Sequence, residues 1–225
     1  MSRLQSLWYK IEGETLYRYN RLVSGTVRWE FDGQENVEQA KASGRPLLWA
    51  YWHEHVTTFT MYGDRFQNAE NFCTIMVGDV RQAILGRLGT RLGASMFAID
   101  MQGNPMASGR TLLRVIQAMK KGKMSMIAPD GPDGPAHQPK GGVAFLARKA
   151  ETAVIPVATY ATPAYHINRW DNHEVAIPFG RIKMFFGPPI MPNKKDNNDD
   201  ALLAQITAEL NKVHQKAKSY QNAPK

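Results

Sequence analysis

The sequence predicts one α/β domain, built on a mainly parallel central sheet that is flanked by helices. The chain has 225 residues, of which 43% are hydrophobic, and this is enough to fill one large core. Short apolar runs typical of buried strands alternate with segments of helical periodicity, which is the pattern of parallel strands joined by crossover helices. No internal repeat and no linker divides the chain.

The chain is predicted to begin with an amphipathic helix over residues 1–25. Its apolar side chains recur at helical spacing: Leu4, Leu7, Trp8 and Ile11. The α/β domain is expected over residues 26–220, and residues 221–225 read as a polar tail.

The remaining elements are predicted in alternation along the chain. A β-rich stretch at 26–31 precedes a short helix at 34–44, which Gly44 closes. Apolar runs then predict strands at 46–52, 73–77, 94–99, 124–128, 153–161 and 181–190. One-sided apolar spacing predicts helices at 80–92, 106–121 and 141–150, and the acidic residues at 199–200 mark the start of a last helix.

Composition restricts the partners and the compartment. Lysine and arginine total 28 against 20 acidic residues, giving a net charge of +8, which favours acidic partners such as nucleic acid, an anionic membrane or phosphorylated substrates. The single cysteine, Cys73, excludes an internal disulfide and a cysteine-rich zinc site. Charged residues interrupt positions 4–23, so the sequence predicts neither a signal peptide nor a membrane span, and we expect a cytoplasmic protein.

Candidate chemistry lies just after the predicted strands, where open α/β sheets bind ligands. His53, Glu54 and His55 follow the strand at 46–52, and a histidine there can act as a general base. The alternative is a histidine that only caps the next helix. Because His53 and His55 are two residues apart and no third ligand has suitable spacing, the sequence predicts no metal site. Asp100, after the strand at 94–99, is a candidate site residue or a turn residue.

A second candidate is the stretch at 127–150, IAPDGPDGPAHQPKGGVAFLARKA. It holds two Asp-Gly-Pro turns and leads through Lys140 into the helix at 141–150. Free backbone amides of such a loop and the N-terminus of the helix both favour an anion. A purely structural double turn is the alternative. The phosphate-binding glycine motifs and the nucleophile elbow of α/β-hydrolases are absent from the sequence.

These motifs together resemble the lysophospholipid acyltransferase superfamily, and most closely its bacterial DUF374-like branch. The resemblance rests on WHEH, on APDGPDGPAHQPKGGVAFLARKAETAVIPV and on RWDNHEVAIPFGRIKMFFGPPI. It runs from about Val27 to Ile190. The branch has a Trp-His pair after its first central strand, a D-G-P-R-G-P-like loop, a Lys-Gly step, a Pro-Val strand, and later a Trp-Asp pair and a Gly-Pro-Ile.

The resemblance implies a glycerolipid acyltransferase-like fold and an activity. A fatty acyl group passes from an acyl thioester, carried by coenzyme A or acyl carrier protein, to the hydroxyl of a lysophospholipid or related acceptor. No further cofactor is implied, because the acyl carrier is a co-substrate. By the motif match His53 is the general base and Asp130 the acidic residue of the third motif, with Gly131 and Pro132 as its loop.

The chain departs from the family pattern at two points. The wider superfamily places an acidic partner five residues after the histidine, and Thr58 stands there. Asp133 and Asp100 occupy positions where arginine is common, which removes positive charge that would hold a phosphate. Either Arg110, Lys140 or Arg148 compensates, or the acceptor is not a simple phosphate ester, or the protein binds lipid without catalysing transfer. The proposed acceptor site therefore comprises Gly131, Pro132, Lys140, Asp100 and Arg110.

The basic charge and the aromatic-bearing N-terminal helix favour an anionic membrane surface as a partner. We expect peripheral attachment to the inner face of the cell membrane. No nucleic-acid partner is expected, because the basic residues are scattered and no recognised motif accompanies them. The sequence leaves the oligomeric state open. The alternative function is that of a noncatalytic lipid-binding protein on the same scaffold.

Overall fold

The computed structural model describes residues 3–78, 80–99, 105–193 and 198–221. Its helices are α1 (Arg3–Thr26), α2 (Gln34–Ala42), α3 (Val56–Phe66), α4 (Val80–Leu92), α5 (Pro105–Lys120), α6 (Gly142–Ala150) and α7 (Asp199–Gln221). Its strands are β1 (Arg28–Asp32), β2 (Leu47–Tyr51), β3 (Phe72–Val77), β4 (Ser95–Ile99), β5 (Met124–Ile127), β6 (Ala153–Ile167) and β7 (His173–Phe186). Of the predicted tail, residues 222–225 lie outside the described residues.

The strands form one seven-stranded sheet in the order β1-β7-β6-β2-β5-β3-β4. Every neighbouring pair is parallel except β6 and β7, which are antiparallel. The predicted fold class, an α/β domain with a mainly parallel sheet between helices, is confirmed. The strand β2 lies at the centre, between β5 and β6, so its carboxyl end opens into the middle of the sheet edge.

Helices cover both faces of the sheet, and β2 contributes to both cores. Trp49 and Tyr51 point to the side covered by α1, α2 and α3, whereas Leu48, Ala50 and Trp52 point to the side covered by α5, α6 and α7. All five side chains are almost completely buried. Burial of each large one contributes about 1.5–3 kcal/mol to folding, so the segment that leads into the WHEH motif is rigidly held.

The hairpin of β6 and β7 is longer than the sequence predicts. Only 153–161 and 181–190 are predicted as strands, yet the pairing continues to Ile167 and begins again at His173, with a register shift between Thr162 and Ala164. The extra residues of β6 are mostly exposed, and Phe179 of β7 is 82% exposed, so much of this extension faces solvent. Such residues lack the continuous apolar run of a fully buried strand.

The helix α1 packs on α3, α4 and β7 along one side. The hydroxyl of Tyr19 donates a hydrogen bond to the carbonyl of Ala176 in β7. A Cβ at Gly13 would lie 2.7 Å from the carbonyl oxygen of Ile84, so glycine permits the close approach to α4. The opposite side carries an exposed apolar stripe: Leu4 (80% exposed), Leu7 (56%), Trp8 (61%) and Ile11 (49%). Among the described residues, none of the helices has the length and hydropathy needed to span a bilayer.

Candidate active site

His53 lies directly beyond the carboxyl end of β2. Trp52 continues the extended backbone, and a short 3₁₀ turn over His53–His55 then leads into α3. The backbone amide of His53 donates to Oδ1 of Asp130, at 3.0 Å, and the amide of His137 donates to Oδ2 at 3.0 Å. The buried carboxylate of Asp130 therefore joins the His53 turn to its own loop.

The structure thus brings the two predicted catalytic residues together, but through the backbone of His53. Asp130 is completely buried, and its two described hydrogen bonds are with amides rather than with the imidazole. Burial raises the pKa of Asp130, and the two amide donors oppose that shift. This geometry gives Asp130 a positioning function in the site.

The imidazole of His53 is oriented by a different carboxylate, Asp171. Nδ1 of His53 lies 2.7 Å from Oδ2 of Asp171, whose side chain is 1% exposed, whereas that of His53 is 20% exposed. The proton on Nδ1 is donated to the carboxylate, so Nε2 carries the lone pair of the neutral ring. Thr58, at the position where the wider superfamily has its acid, is buried in α3.

Arg169 keeps Asp171 ionised. Its Nε and Nη2 donate to the two carboxylate oxygens at 2.6 and 2.8 Å, a bidentate pair. Burial acts in the opposite direction, but these hydrogen bonds and that from His53 hold the pKa of Asp171 below its ordinary value. His173 also lies beside Asp171, with Nδ1 3.3 Å from Oδ2, and burial together with the Arg169 charge lowers the pKa of His173.

The two Asp-Gly-Pro turns make room for aromatic rings. A Cβ at Gly131 would lie 2.7 Å from Cδ2 of His53, so the first turn packs directly against the imidazole. A Cβ at Gly134 would lie 2.6 Å from the indole of Trp170, and Gly134 has φ +77°, a conformation that favours glycine. The indole in turn lies on His53, with ring centroids 5.0 Å apart. The loop and the hairpin tip therefore enclose the imidazole.

The other predicted site residues lie at unequal distances from this centre. The ammonium of Lys140 donates to the carbonyl of Gly131 at 2.9 Å, so Lys140 closes the loop that also contains the half-buried Pro132. Arg110 is exposed on α5, which packs on β3, β4 and α6. Asp100 lies outside the described residues.

Comparisons with known proteins bear on the fold of this site. No family model matches the chain. An uncharacterized protein of Rickettsia prowazekii is 25% identical over 176 residues, which cover 78% of each chain. The crystal structure of the 1-acyl-sn-glycerophosphate acyltransferase PlsC from Thermotoga maritima is similar with a TM-score of 0.56 and 14% identity, covering 98% of this chain and 81% of PlsC. The chain has the fold of PlsC.

Within this PlsC-like fold, Arg169 and Asp171 are the site residues that sequence reasoning missed. They lie in the short turn of the β6–β7 hairpin, 116 and 118 residues after His53. The sequence did carry a signal, because Trp170 and Asp171 form the Trp-Asp pair of the family resemblance. No spacing rule within one element predicts the contact, since it depends on the hairpin reaching the end of β2.

A second polar cluster lies beside the first one. It comprises Glu54 and His55 after β2, His137 of the Asp-Gly-Pro loop and His214 of α7. Burial lowers the pKa of His55 and of His214 to about 4, so both imidazoles are neutral at pH 7. Burial of Glu54 acts against ionisation, but its hydrogen bond with His137 and the neighbouring imidazoles lower its pKa to about 2.

Proposed function

We propose that the protein is an acyltransferase that transfers groups other than aminoacyl groups, in the DUF374-like branch of the lysophospholipid acyltransferase superfamily. It moves a fatty acyl group from an acyl thioester of coenzyme A or acyl carrier protein to the hydroxyl of a lysophospholipid or related acceptor. The observation that carries the proposal is the 2.7 Å contact of His53 Nδ1 with Asp171, which orients a base at the end of the central strand. The likeness in fold to PlsC supports it.

The proposed reaction uses Nε2 of His53 as the base. Nε2 removes the proton from the acceptor hydroxyl while the oxygen attacks the thioester carbonyl. The tetrahedral intermediate then expels the thiolate, which takes the proton back from the imidazolium, so the ring returns to its neutral form. Asp171 holds the ring in the required tautomer and stabilises its transient positive charge. Arg169 keeps that carboxylate ionised.

The acceptor site is proposed to lie along the Asp-Gly-Pro loop. Gly131 contacts the imidazole, Pro132 follows it, and the Lys140 ammonium lies on the carbonyl of Gly131. Lys140 is the best-placed of the proposed cations for an acceptor phosphate. Arg148 serves another purpose, because it forms a bidentate pair with Asp199 at the start of α7.

Membrane attachment is proposed through α1. Its exposed stripe is apolar at four successive helical positions, and the chain carries a net charge of +8. An amphipathic helix of this kind lies in the interface of a bilayer with its apolar side inward, and basic charge adds attraction to anionic lipid. The inner face of the cell membrane is the surface that we propose.

The proposed activity is tested with the purified chain, acyl-CoA or acyl carrier protein thioesters, and a panel of lysolipids. We expect product formation that falls by about 10²- to 10⁴-fold in His53→Ala, the usual contribution of a general base. The control is His166→Ala, which removes an exposed imidazole from β6. Tight lipid binding that survives His53→Ala, with no turnover in either protein, would instead establish the noncatalytic lipid-binding alternative.

A further inference from the structure

Three separated segments bring three potential metal ligands and one further histidine into the second cluster. Oε1 of Glu54 lies 3.7 Å from Nε2 of His55 and 3.3 Å from Nδ1 of His214, and these two nitrogens are 3.4 Å apart. Nε2 of His137 lies 2.8 Å from the same carboxylate oxygen. His55 and His214 are 159 residues apart in sequence, so no local spacing rule brings them together.

The spacing of the three inner atoms matches one face of a zinc tetrahedron. Nitrogen and oxygen ligands about 2.0–2.2 Å from a tetrahedral zinc ion lie about 3.3–3.6 Å from one another. The observed distances are 3.3, 3.4 and 3.7 Å. Imidazole and carboxylate are also donor types that zinc prefers in proteins.

A hydrogen-bond relay fixes the ligand face of His55. The hydroxyl of Thr159 donates to Oε1 of Glu174 at 3.1 Å, so its oxygen accepts the proton from Nδ1 of His55 at 3.0 Å. Nε2 of His55 is thereby left unprotonated and faces Glu54 and His214. Ligating histidines in metalloproteins are oriented in this way by the partner of their other nitrogen.

His214 lacks such a partner on its outer side. Within the described residues, its Nε2 is buried without a hydrogen bond, and the whole residue is 4% exposed. The contacts of Nδ1 alone therefore orient this ring. A metal bond at Nδ1 orients the ring more strongly than the 3.4 Å contact with Nε2 of His55 does.

The neighbouring cluster of His53, Asp171 and His173 does not offer an equivalent site. The guanidinium of Arg169 occupies it, with Nη2 2.8 Å from Asp171, 3.2 Å from Nδ1 of His173 and 3.5 Å from Nδ1 of His53. A divalent cation there would lie against a fixed positive charge. The first cluster therefore already holds a cationic side chain, the guanidinium of Arg169.

We propose that Glu54, His55 and His214 bind a zinc ion, and that His137 holds the Glu54 carboxylate through its 2.8 Å hydrogen bond. Three protein ligands leave the fourth position of the tetrahedron for water. The ion joins α7 to the turn that carries His53. The side chain of His137 is 35% exposed, so the ion has a path from solvent.

The direct test is the zinc content of the full chain after treatment with a chelator, reconstitution with zinc chloride and desalting. We expect one zinc per chain by elemental mass spectrometry, and a higher melting temperature with zinc than with magnesium. Cobalt substitution should give the intense visible bands of a tetrahedral site. All three measurements are independent of acyl transfer. A wild-type chain that retains less than about 0.1 zinc overturns the proposal and leaves the cluster as a hydrogen-bond network.

Variants locate the ion. His214→Gln and Glu54→Gln should lose stoichiometric zinc, and Thr159→Val should weaken affinity by about 10- to 100-fold through the relay. The matched controls are His173→Gln and His166→Gln, which should retain one equivalent of zinc.

Each variant is first checked for a native circular dichroism spectrum. If a His214 variant fails to fold, the zinc affinity of Thr159→Val and the zinc content of His173→Gln test the assignment in its place. Loss of zinc in His173→Gln, or unchanged affinity in Thr159→Val, overturns the assignment.

Discussion

At the residue scale, Asp171 holds Nδ1 of the His53 imidazole, which leaves Nε2 as the nitrogen that the proposed reaction uses as its base. The contact is short, 2.7 Å, and the carboxylate is buried and paired with Arg169. A carboxylate in this setting does not take the proton itself. In the proposed reaction it fixes the tautomer and stabilises the imidazolium that forms.

The substitution Asp171→Asn should therefore reduce kcat by about 10²- to 10⁴-fold, because an amide permits the wrong tautomer and carries no charge. The acyl-transfer assay measures it. Asp199→Asn is the matched control, since Asp199 also accepts two hydrogen bonds from one arginine, at 2.6 and 2.9 Å, but lies at the start of α7. Equal activities of the two variants would remove Asp171 from the mechanism.

The same carboxylate predicts how stability varies with pH. The folded pKa of Asp171 is depressed below the unfolded value of about 3.9, so its stabilisation is complete well above that value and is lost as pH falls. The part of the difference in unfolding free energy between wild type and Asp171→Asn that this carboxyl contributes should be constant from pH 7 to 5. Below pH 3.9 that part should shrink by up to about 1.4 kcal/mol per pH unit. Urea unfolding at each pH measures it, and a difference that stays constant to pH 3 contradicts the depressed pKa.

Gly131 and Gly141 lie in the same loop but differ in what surrounds them. A Cβ at Gly131 would meet the His53 ring at 2.7 Å, whereas a Cβ at Gly141 would meet nothing within 4 Å. Gly131→Ala should displace the imidazole or the loop and lower kcat by about 10²-fold, the cost of misplacing a reacting group by about 1 Å. Gly141→Ala should retain activity. Equal kcat values in the two variants would show that the first turn does not set the position of His53.

At the element scale, the extended β6–β7 hairpin brings Arg169 and Asp171 to His53 at the end of β2. The strand at 46–52 is predictable because it is a continuous apolar run, and it is confirmed as β2, Leu47–Tyr51. The outer half of the hairpin has no such run, since its residues pair with each other and face solvent on one side. The sequence therefore predicted His53 and the Asp-Gly-Pro loop as candidate site residues, but not the carboxylate that the hairpin brings to them.

The apolar stripe of α1 is the second feature at this scale. Leu7 and Leu113 are both 56% exposed, but Leu7 belongs to the stripe and Leu113 lies on α5. Leu7→Glu should weaken binding to lipid vesicles, because it places a charge in the apolar side of an interfacial helix. Leu113→Glu should leave binding unchanged. Vesicle sedimentation measures both, with melting temperatures as the control for folding, and equal binding of the two variants would exclude α1 as the attachment helix.

At the scale of the whole molecule, the fold class was predictable, whereas the meeting of distant residues was not. Alternating apolar runs and helical segments predict the sheet and helix layers of the fold, because each element must bury one of its sides. The contacts that define the two clusters join His53 to Asp171 across 118 residues and His55 to His214 across 159. Only the assembled sheet, with α7 and the hairpin in place, brings these side chains within bonding distance.

Net charge is likewise a property of the whole chain. Its sensitivity to salt distinguishes the electrostatic contribution to membrane binding from the apolar contribution of α1. The excess of 28 basic over 20 acidic residues attracts the protein to anionic lipid, and salt screens this attraction over a Debye length that falls from about 10 Å at 0.1 M to about 3 Å at 1 M. Binding to vesicles rich in phosphatidylglycerol should therefore fall steeply as sodium chloride rises from 0.05 to 0.5 M.

Insertion of the α1 stripe buries apolar surface and does not depend on screening in this way. Residual binding at high salt should thus disappear in Leu7→Glu, whereas the salt-sensitive part remains. Equal binding to anionic and zwitterionic vesicles at every salt concentration would show that the basic charge does not attract the protein to the membrane.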